Sequence, residues 1–496
     1  MSEHDTHHEV DLLVIGGGVN GTGIARDAAG RGLKVMLVEQ DDLAAHTSSA
    51  SSKLIHGGLR YLEMYEFRLV REALEEREKL LDIAPHLIRG MRFVMPLAKG
   101  MRPAWLIRIG LLLYDNIGGR SRLPKSIGVR LDRTDWGRGL KPVRRGFVYS
   151  DGWVDDARLV VLNALDAAER GADIRTHVKF EGATREADHW ACRLGDGSIV
   201  RARAIANTSG PWVGQVLGDM PEAQHERPPR LVKGSHIVVP QLFAGDHAFI
   251  LQNADKRVIF AIPYQGDLTL VGTTDKPFDG DPSAPTIDPD ETEYLCASVN
   301  RYFTRQTAPA DVVTSYSGVR PLFDDGNANA SEVTRDYVLK LGTRESPQIL
   351  SAFGGKITTY RRLSEHALDE LAPFLPPMGP QWTADAPLPG GDVPPGGIAA
   401  FADTVARRWP FLGDATALRM THAYGTRIGD VMGDATSIED LGDGLSTREV
   451  DYLVAKEWAR SVDDILWRRT KLGIHGGETL RDAVAAYLKR SGIVTV

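Results

Sequence analysis

Residues 10–39, VDLLVIGGGVNGTGIARDAAGRGLKVMLVE, decide the fold of the N-terminal part of this chain. An apolar run over Val10–Ile15 has the length of a strand and leads through a glycine turn into a helical stretch over Thr22–Ala29. A second apolar run, Val35–Val38, ends at Glu39. This order of strand, glycine turn, helix, strand and acid is typical of the βαβ unit that binds a dinucleotide, either NAD or FAD.

The small residues of the glycine turn each have a physical task. Gly16 permits the tight turn, Gly18 lets the backbone approach a pyrophosphate, and Gly21 lets the helix pack against the strand. The helix N-terminus faces the anion, and the carboxylate of Glu39 accepts hydrogen bonds from ribose hydroxyls. We therefore assign Gly16, Gly18, Asn20, Gly21 and Glu39 to cofactor binding.

Two later strand ends carry a similar signal. An apolar stretch over 205–210 runs into a glycine and a tryptophan, and another over 349–353 runs into a glycine pair followed by a helical pattern. Glycine-marked strand ends far apart in the chain predict one nucleotide-binding domain assembled from separated segments. We add to the cofactor site Gly210, Trp212, Gly354, Gly355 and Thr358.

The stretch TSSASSKLIHGGLRYL, residues 47–62, is rich in small hydroxyls and glycines. Such residues are poor material for a core and good donors around a cofactor or an anion, although a plain serine-rich loop is the alternative interpretation. We assign to cofactor binding Thr47, Ser48, Ser52, Lys53, His56, Gly57 and Gly58.

Composition limits the class of protein. The chain has 496 residues, 42% hydrophobic and 25% charged, as expected for a soluble globular protein of about three domains. The net charge of −7 argues against general nucleic-acid binding. Cys192 and Cys296 are too few for a disulfide framework and lack metal-ligand spacing, so we expect a reducing cytoplasmic setting and no metal. The first ten residues lack the pattern of a signal peptide.

Positive charge is concentrated in one block. Residues 89–145 contain 14 Lys or Arg and three Asp around the apolar stretch Trp105–Tyr114. That stretch is shorter than the roughly 18 residues that span a bilayer. Two interpretations are open: attachment to an anionic membrane surface, or a solvated basic face beside a buried helix.

Longer motifs are similar to those of bacterial FAD-dependent glycerol-3-phosphate dehydrogenases, the aerobic respiratory enzymes of glycerol catabolism. They fall in family order along the chain and extend into its C-terminal region. These motifs are SSASSKLIHGGLRYLE (48–63), WVDDARL (153–159), KGSHIVVP (233–240), GTTD (272–275), YSGVRPL (316–322), FGGKITTYR (353–361) and DILWRRTKLG (464–473).

The resemblance implies an α/β plus α fold of the glucose/amine-oxidase-like flavoprotein type. It combines a Rossmann-type FAD-binding domain, assembled from separated segments, with an inserted mixed-sheet substrate domain and a C-terminal helical domain. The boundaries we predict are 1–90, 150–215 and 320–385 for FAD binding, 91–149 for a membrane-facing segment, 216–319 for the substrate domain, 386–397 for a linker and 398–496 for the helical domain.

The implied reaction oxidises the C2 hydroxyl of sn-glycerol 3-phosphate to dihydroxyacetone phosphate, with hydride transfer to FAD and electrons passed to membrane quinone. The substrate is nearly a dianion, so its pocket needs several cationic donors. Arg60, Arg320 and Lys356 each lie in a matched motif on a different segment, and Tyr61 adds a hydroxyl donor. Lys356 is equally suited to contact the flavin.

Alcohol oxidation also needs a base for the hydroxyl proton. His236, in KGSHIVVP, is our choice because the ordinary pKa of histidine lies near the working pH, and His56 is the competing candidate. Arg320 is also assigned an electrostatic catalytic role, stabilising the developing alkoxide. Tyr316 fits a core position as well as a site position.

A donor to quinone must reach the bilayer, which favours monotopic attachment of the basic block to the inner face of the cell membrane. We further expect noncovalent FAD, with His46 and His56 as the nearest candidates for a covalent link, and a homo-oligomer. Three alternatives stay open: a glycerol-3-phosphate oxidase that uses oxygen, an amino-acid or amine oxidase of the same fold, and a flavoprotein scaffold that binds partners through 398–496.

Overall fold

The computed structural model describes residues 7–97, 103–220, 223, 227–255, 257–324, 336–342 and 346–493. Its strands are β1 (His7–Ile15), β2 (Val35–Val38), β3 (Leu54–Ile55), β4 (Ile88–Pro96), β5 (Ile127–Val129), β6 (Gly146–Val154), β7 (Asp173–Arg175), β8 (Phe180–Arg185), β9 (Trp190–Leu194), β10 (Ile199–Asn207), β11 (Arg230–Pro240), β12 (Ala248–Gln252), β13 (Val258–Tyr264), β14 (Leu268–Gly272), β15 (Lys276–Pro277), β16 (Thr314–Leu322), β17 (Val338–Leu341), β18 (Gln348–Phe353), β19 (Asp440–Gly442) and β20 (Leu445–Ser446).

The helices are α1 (Val19–Gly30), α2 (Phe67–Ile83), α3 (Ala104–Ile117), α4 (Asp156–Glu169), α5 (Val213–Gly218), α6 (Pro289–Asn300), α7 (Tyr360–Leu371), α8 (Gly397–Arg408), α9 (Gly413–Tyr424), α10 (Ile428–Met432), α11 (Thr447–Glu457) and α12 (Gly473–Arg490). A 3-10 turn covers Leu59–Met64, and a π-helical turn covers Asp464–Arg469. None of these described helices is long and apolar enough to cross a membrane.

The first sheet has the strand order β17-β18-β10-β1-β2-β7, with β8 and β9 beside β10. Strands β18, β10, β1, β2 and β7 run parallel, and helices α1, α4 and α7 pack together with them in one apolar core. The predicted βαβ unit and its assembly from separated segments are confirmed. Strand β1 begins at His7, earlier than the predicted Val10, because it continues pairing with β10 from Ile199 onward.

The second sheet has the order β15-β11-β14-β13-β12-β4-β6-β3, with β16 beside β11 and β5 beside β6. Its described pairs are antiparallel except β4 with β12, so it is a mixed sheet, as expected. Its strands come from the segments predicted for the substrate domain, for FAD binding and for membrane attachment. Arg89 and Arg92 led to the prediction that this stretch belongs to the basic block. The stretch forms strand β4 instead, because its residues Phe93 and Val94 are buried.

The predicted linker, 386–397, is packed against the rest of the molecule along part of its length. Its residues 388–391 are buried, and the Leu388 backbone N–H donates to the carbonyl of Ile83 at 2.8 Å. The proline and glycine content of this segment predicts an unpacked linker, but backbone groups within it form hydrogen bonds. After them, α8–α12 enclose an apolar core of their own, which confirms the helical C-terminal domain.

We predict that Gly21→Ala damages the βαβ unit. A Cβ at this position would lie 2.0 Å from the Gly16 carbonyl oxygen, a backbone atom that cannot move aside. The free energy of unfolding should fall by about 3 kcal/mol or more, measured by chemical denaturation. Gly429→Ala is the matched control, because Gly429 lies in α10 with open space around it. Equal stability of both variants would contradict this account.

Candidate active site

A cavity of about 460 Å³ lies where the two sheets face each other. Four of the parallel strands end at it: Ile15 of β1, Val38 of β2, and the residues directly after β10 and β18 are among its lining. The second sheet closes the opposite side with residues of β16 and of the turn after β14. Ligands of open parallel sheets bind at this edge, so the topology places the candidate site here.

One end of the cavity is formed by the glycine turn before α1. Gly16 has a φ of +109°, which a residue with a side chain rarely adopts, and Gly18 precedes the helix without a side-chain cap. The backbone N–H of Val19 donates to Ser48 Oγ at 3.0 Å, so the serine-rich segment is held against the helix N-terminus. This end therefore presents backbone dipoles and a hydroxyl to an anion.

Glu39 lines the same end and is held by the backbone. Its two carboxylate oxygens accept hydrogen bonds from the N–H groups of Gly17 at 2.6 Å and Asp41 at 2.9 Å. Burial raises the pKa of Glu39, and these two backbone donors oppose that rise. The acid is thus fixed in the position where the fingerprint expects a ribose.

The cavity fits the FAD expected from the resemblance. The Oδ1 atom of Asn20 is buried and accepts no hydrogen bond from the described residues, while its Nδ2 donates to the Gly354 carbonyl at 3.2 Å. Gly354 and Gly355 have φ values of +71° and +100°, and a Cβ on Gly355 would lie 2.9 Å from Asn20 Nδ2. Glycine is therefore required here, because a side chain would close the space beside a buried polar atom.

Three cationic side chains also line the cavity. Arg60 is exposed at its wall, and Lys356 Nζ lies 3.9 Å from the ring centroid of Tyr61. Arg320, on β16, donates to Asp275 Oδ1 at 3.1 Å and to Thr273 Oγ1 at 3.3 Å. The four residues predicted to bind substrate, Arg60, Tyr61, Arg320 and Lys356, all line this one cavity.

His56 lies directly in the cavity wall. The hydroxyl of Thr358 accepts a hydrogen bond from its backbone N–H at 3.2 Å, and its ring packs edge-on against Phe260. Burial, with the positive charges of Lys356 and Arg77, lowers the pKa of His56 from its ordinary 6.5 to about 4. Its imidazole is therefore neutral at neutral pH.

His236 lies one hydrogen bond behind the wall. Its Nε2 lies 2.8 Å from the Oγ of Ser52, a residue that lines the cavity, and its ring stacks on Tyr316 with centroids 4.9 Å apart. Its Nδ1 is buried and has no hydrogen-bond partner among the described residues. Burial, with the charges of Arg320 and Lys53, holds the pKa of His236 well below its ordinary range.

Three residues assigned to cofactor binding lie outside the cavity lining. Lys53 is buried and pairs with Asp156 at 2.8 Å, because that carboxylate needs a partner inside the protein. The N–H of Gly57 donates to the Tyr114 hydroxyl at 2.9 Å, away from the cavity. Gly21 packs against the Gly16 carbonyl, which is the packing task the fingerprint gives it.

The remaining predicted cofactor residues line the cavity as expected. They come from the glycine turn, the serine-rich segment and the two later strand ends, which the fold brings together. They are Gly16, Gly18, Asn20, Glu39, Thr47, Ser48, Ser52, His56, Gly58, Gly210, Trp212, Gly354, Gly355 and Thr358.

Thr273 and Asp275 were missed as site residues. Both line the cavity and hold Arg320 by hydrogen bonds. The motif GTTD was recognised as a family match, but a short polar run after a strand gives no sign of which distant arginine it contacts. Phe260 was missed because it reads as an ordinary strand residue.

Comparisons with known proteins agree with this geometry. The family of FAD-dependent oxidoreductases matches residues 11–361, and the C-terminal domain of alpha-glycerophosphate oxidase matches residues 381–491. The chain is 51% identical over 489 residues to the glycerol-3-phosphate dehydrogenase of Pseudomonas aeruginosa, which covers 97% of this chain and 95% of that protein.

Two further relatives are informative. The D-erythritol 1-phosphate dehydrogenase of Brucella abortus is 49% identical over 504 residues, covering 100% of both proteins. The solved structure of the glycerol-3-phosphate dehydrogenase of Bacillus halodurans, complexed with FAD, matches with a TM-score of 0.76 and 26% identity, covering 100% of this chain and 92% of that chain.

We predict that both site histidines stay neutral at pH values where an ordinary histidine is charged. The pKa values of both histidines lie below the ordinary value. His56 therefore binds a proton only as the pH falls toward about 4, and His236 binds one only well below the pH at which an ordinary histidine does. Imidazole nitrogen resonances of labelled protein should therefore remain unshifted between pH about 7.5 and about 5.5. His56→Asn and His236→Asn assign the signals. A signal that titrates in this window and disappears in either variant would contradict the prediction.

Proposed function

The chain belongs to the FAD-dependent glycerol-3-phosphate dehydrogenase family, and on this premise we propose that it oxidises sn-glycerol 3-phosphate to dihydroxyacetone phosphate and delivers the electrons to a membrane quinone. The observation that carries the proposal is the composition of one cavity. The residues of a dinucleotide cradle and cationic side chains from three chain segments line the same cavity.

The cationic part of the cavity suits a phosphate ester. Arg60 follows the serine-rich segment, Arg320 lies on β16 and Lys356 follows β18, so three separate chain segments bring a positive charge to the cavity. A nearly dianionic phosphate gains from several convergent charged donors, whereas a single carboxylate is satisfied by one arginine. This favours a phosphorylated alcohol over an amino acid or amine as the substrate.

When bound, FAD supplies the two-electron acceptor for the hydride that leaves C2. The chain must hold the substrate and remove the proton of the C2 hydroxyl. We assign that proton to His236 through Ser52: the serine hydroxyl passes its own proton to Nε2 over the 2.8 Å contact and takes the substrate proton in its place. The lowered pKa of His236 leaves its imidazole neutral before the reaction, and it also makes this histidine a weaker base than the ordinary pKa used in its selection implies.

Arg320 stabilises the developing alkoxide on C2, because its guanidinium is fixed by Asp275 and Thr273 and faces the cavity. Fixed donors of this kind need no reorganisation during the reaction. Asp275 also offers a carboxylate to a free hydroxyl of the substrate. His56, which lines the cavity and is neutral, is the alternative base, and the variants below separate the two.

The membrane attachment is proposed from the surface of α3. Trp105, Leu106, Ile109, Leu112 and Leu113 lie on one face of this helix, and each exposes at least 42% of its surface. The opposite face is buried through Leu111 and Tyr114. An outward apolar face of this kind, within the basic block, suits insertion into the headgroup region of an anionic bilayer.

The 3-10 turn after the serine-rich segment continues this apolar surface. Met64, Tyr65 and Phe67 expose 44%, 80% and 41% of their surface, and they follow Arg60 and Tyr61 of the cavity wall within a few residues. The cavity wall and the apolar surface therefore share one chain segment. This proximity supports a quinone dissolved in the membrane as acceptor. The place at the inner face of the cell membrane and the role in glycerol catabolism are proposed from the resemblance to the family.

Steady-state assays of the purified, FAD-loaded protein on vesicles test the proposal. A quinone analogue should be reduced when sn-glycerol 3-phosphate is the substrate and not when glycerol or an amino acid replaces it. Reduction of dioxygen should be slower than reduction of the quinone analogue, which would distinguish this protein from an oxidase. D-Erythritol 1-phosphate is the competing substrate, because a relative is named for it. A higher kcat/KM with that compound would replace the substrate assignment.

Arg60→Met should lower kcat/KM for the phosphorylated substrate by about 10- to 100-fold, because one charge-assisted contact to the phosphate is lost. Arg71→Met is the matched control, since Arg71 is an exposed arginine that pairs only with Glu75 on α2 among the described residues. Equal kcat/KM in both variants would place the phosphate elsewhere.

His236→Asn and Ser52→Ala should each lower kcat by about 100-fold or more while KM changes little, because both remove the proton path. Ser52→Thr should restore part of the rate. Ser49→Ala is the control, since that hydroxyl contacts the His46 carbonyl. Loss of kcat in His56→Asn with normal kcat in His236→Asn would transfer the role to His56.

Ile109→Asp combined with Leu113→Asp should abolish binding to vesicles that contain phosphatidylglycerol, measured by co-sedimentation. Leu418→Asp is the control, because Leu418 is 48% exposed in the C-terminal domain, far along the chain from α3. Unchanged sedimentation of the α3 variant would rule out this helix as the attachment surface.

A further inference from the structure

Two arginines of the C-terminal domain reach the cofactor side of the first sheet. Arg469 donates to Asp42 through Nη1 to Oδ2 and Nη2 to Oδ1, both at 2.7 Å, and Arg468 Nε donates to Asp42 Oδ2 at 2.5 Å. Both arginines lie on the π-helical turn Asp464–Arg469. A single carboxylate on the loop after β2 therefore joins two domains.

The loop that carries Asp42 forms one wall of the cavity. Its lining residues are Glu39, Gln40, Ala44, Ala45, His46, Thr47 and Ser48. Asp42 itself is 1% exposed and absent from the lining, and its carbonyl accepts the Ala45 N–H at 3.1 Å. The loop thus presents one side to the cavity while its acid is held from behind.

The clamp on Asp42 is anchored further inside the protein. Arg469 is fully buried and also donates to the Glu457 carbonyl at 2.6 Å. Glu457 pairs with Arg158 of α4, and Lys471 pairs with Asp155 just before that helix. A buried carboxylate between two guanidinium groups cannot move without leaving a charge unpaired, so the loop has one favoured position.

We propose that Arg468 and Arg469 are positioning residues for the ADP half of FAD: through Asp42 they hold the loop Glu39–Ser48 in the conformation that binds the cofactor. The ADP half is indicated because Glu39 closes the fingerprint that recognises the ribose. A loop held in its bound conformation loses less freedom on binding, which raises affinity. The C-terminal domain therefore acts on the cofactor through this loop, since none of its described residues is in the cavity lining.

Arg468→Ala tests the proposal with Arg419→Ala as matched control. Arg468 is 18% exposed and pairs with Asp42 at 1%, while Arg419 is 20% exposed and pairs with Glu449 at 0% within the C-terminal domain. FAD affinity is measured on the deflavinated full-length protein by flavin fluorescence, and thermal stability is measured on the same preparations without FAD.

Arg468→Ala should weaken FAD binding by about tenfold or more, as loss of a supporting contact does at other sites, and Arg419→Ala should leave it within about twofold. Both should lower the melting temperature of the FAD-free protein. Unchanged FAD affinity in Arg468→Ala, or an equal loss in both variants, would show a purely structural role and overturn the proposal.

Asp42→Asn supplies a second, nearly isosteric test that removes the charge and keeps the volume. Its effect on FAD affinity should match that of Arg468→Ala, and the double variant should lose no more than either alone. The inhibition constant of ADP, measured by its competition with FAD, should rise by the same factor as the dissociation constant of FAD. An unchanged inhibition constant for ADP would overturn the assignment to the ADP half. None of these measurements requires a substrate, so failure of the proposed reaction would not affect them.

Discussion

The common end point of the parallel strands β1, β2, β10 and β18 is the constraint on which the rest of the structure depends. Backbone pairing fixes these ends at one edge of the first sheet, and each is followed by a turn that lines the cavity. A helix N-terminus, a held carboxylate and a glycine pair thereby meet, although they are distant in sequence. The second sheet adds Arg320 from the opposite side, so the cofactor cradle and the cationic side chains share one cavity.

Buried charge in this molecule is arranged so that structural and binding roles are separate. Lys53 is neutralised by Asp156 and Arg469 by Asp42, and both pairs lie inside the protein. Arg60 and Arg320 instead line the cavity, where we propose that the phosphate of the substrate binds. Burial lowers the pKa of both histidines, with the charges of Lys356 and Arg77 at His56 and of Arg320 and Lys53 at His236, so both imidazoles are neutral at neutral pH.

Short sequence motifs predicted those features of the structure that depend on residues adjacent in the chain. Gly16, Gly18 and Glu39 are predicted from their spacing to bind the cofactor, because a turn, a helix start and a strand end are adjacent in the chain, and all three line the cavity. The positions of Lys53, Gly57 and His236 could not be predicted, since their partners Asp156, Tyr114 and Ser52 lie many residues away. The same reason explains why β4 was assigned to the basic block: its neighbours β6 and β12 are remote in sequence.

The most direct test of the account is an anaerobic titration of the purified protein with sn-glycerol 3-phosphate, followed by visible absorption. The account predicts that the oxidised flavin bands bleach at one equivalent of substrate per bound FAD, and that glycerol leaves them unchanged. A flavin spectrum that sn-glycerol 3-phosphate fails to bleach would contradict the central claim, that the cradle and the cationic cluster form one active site.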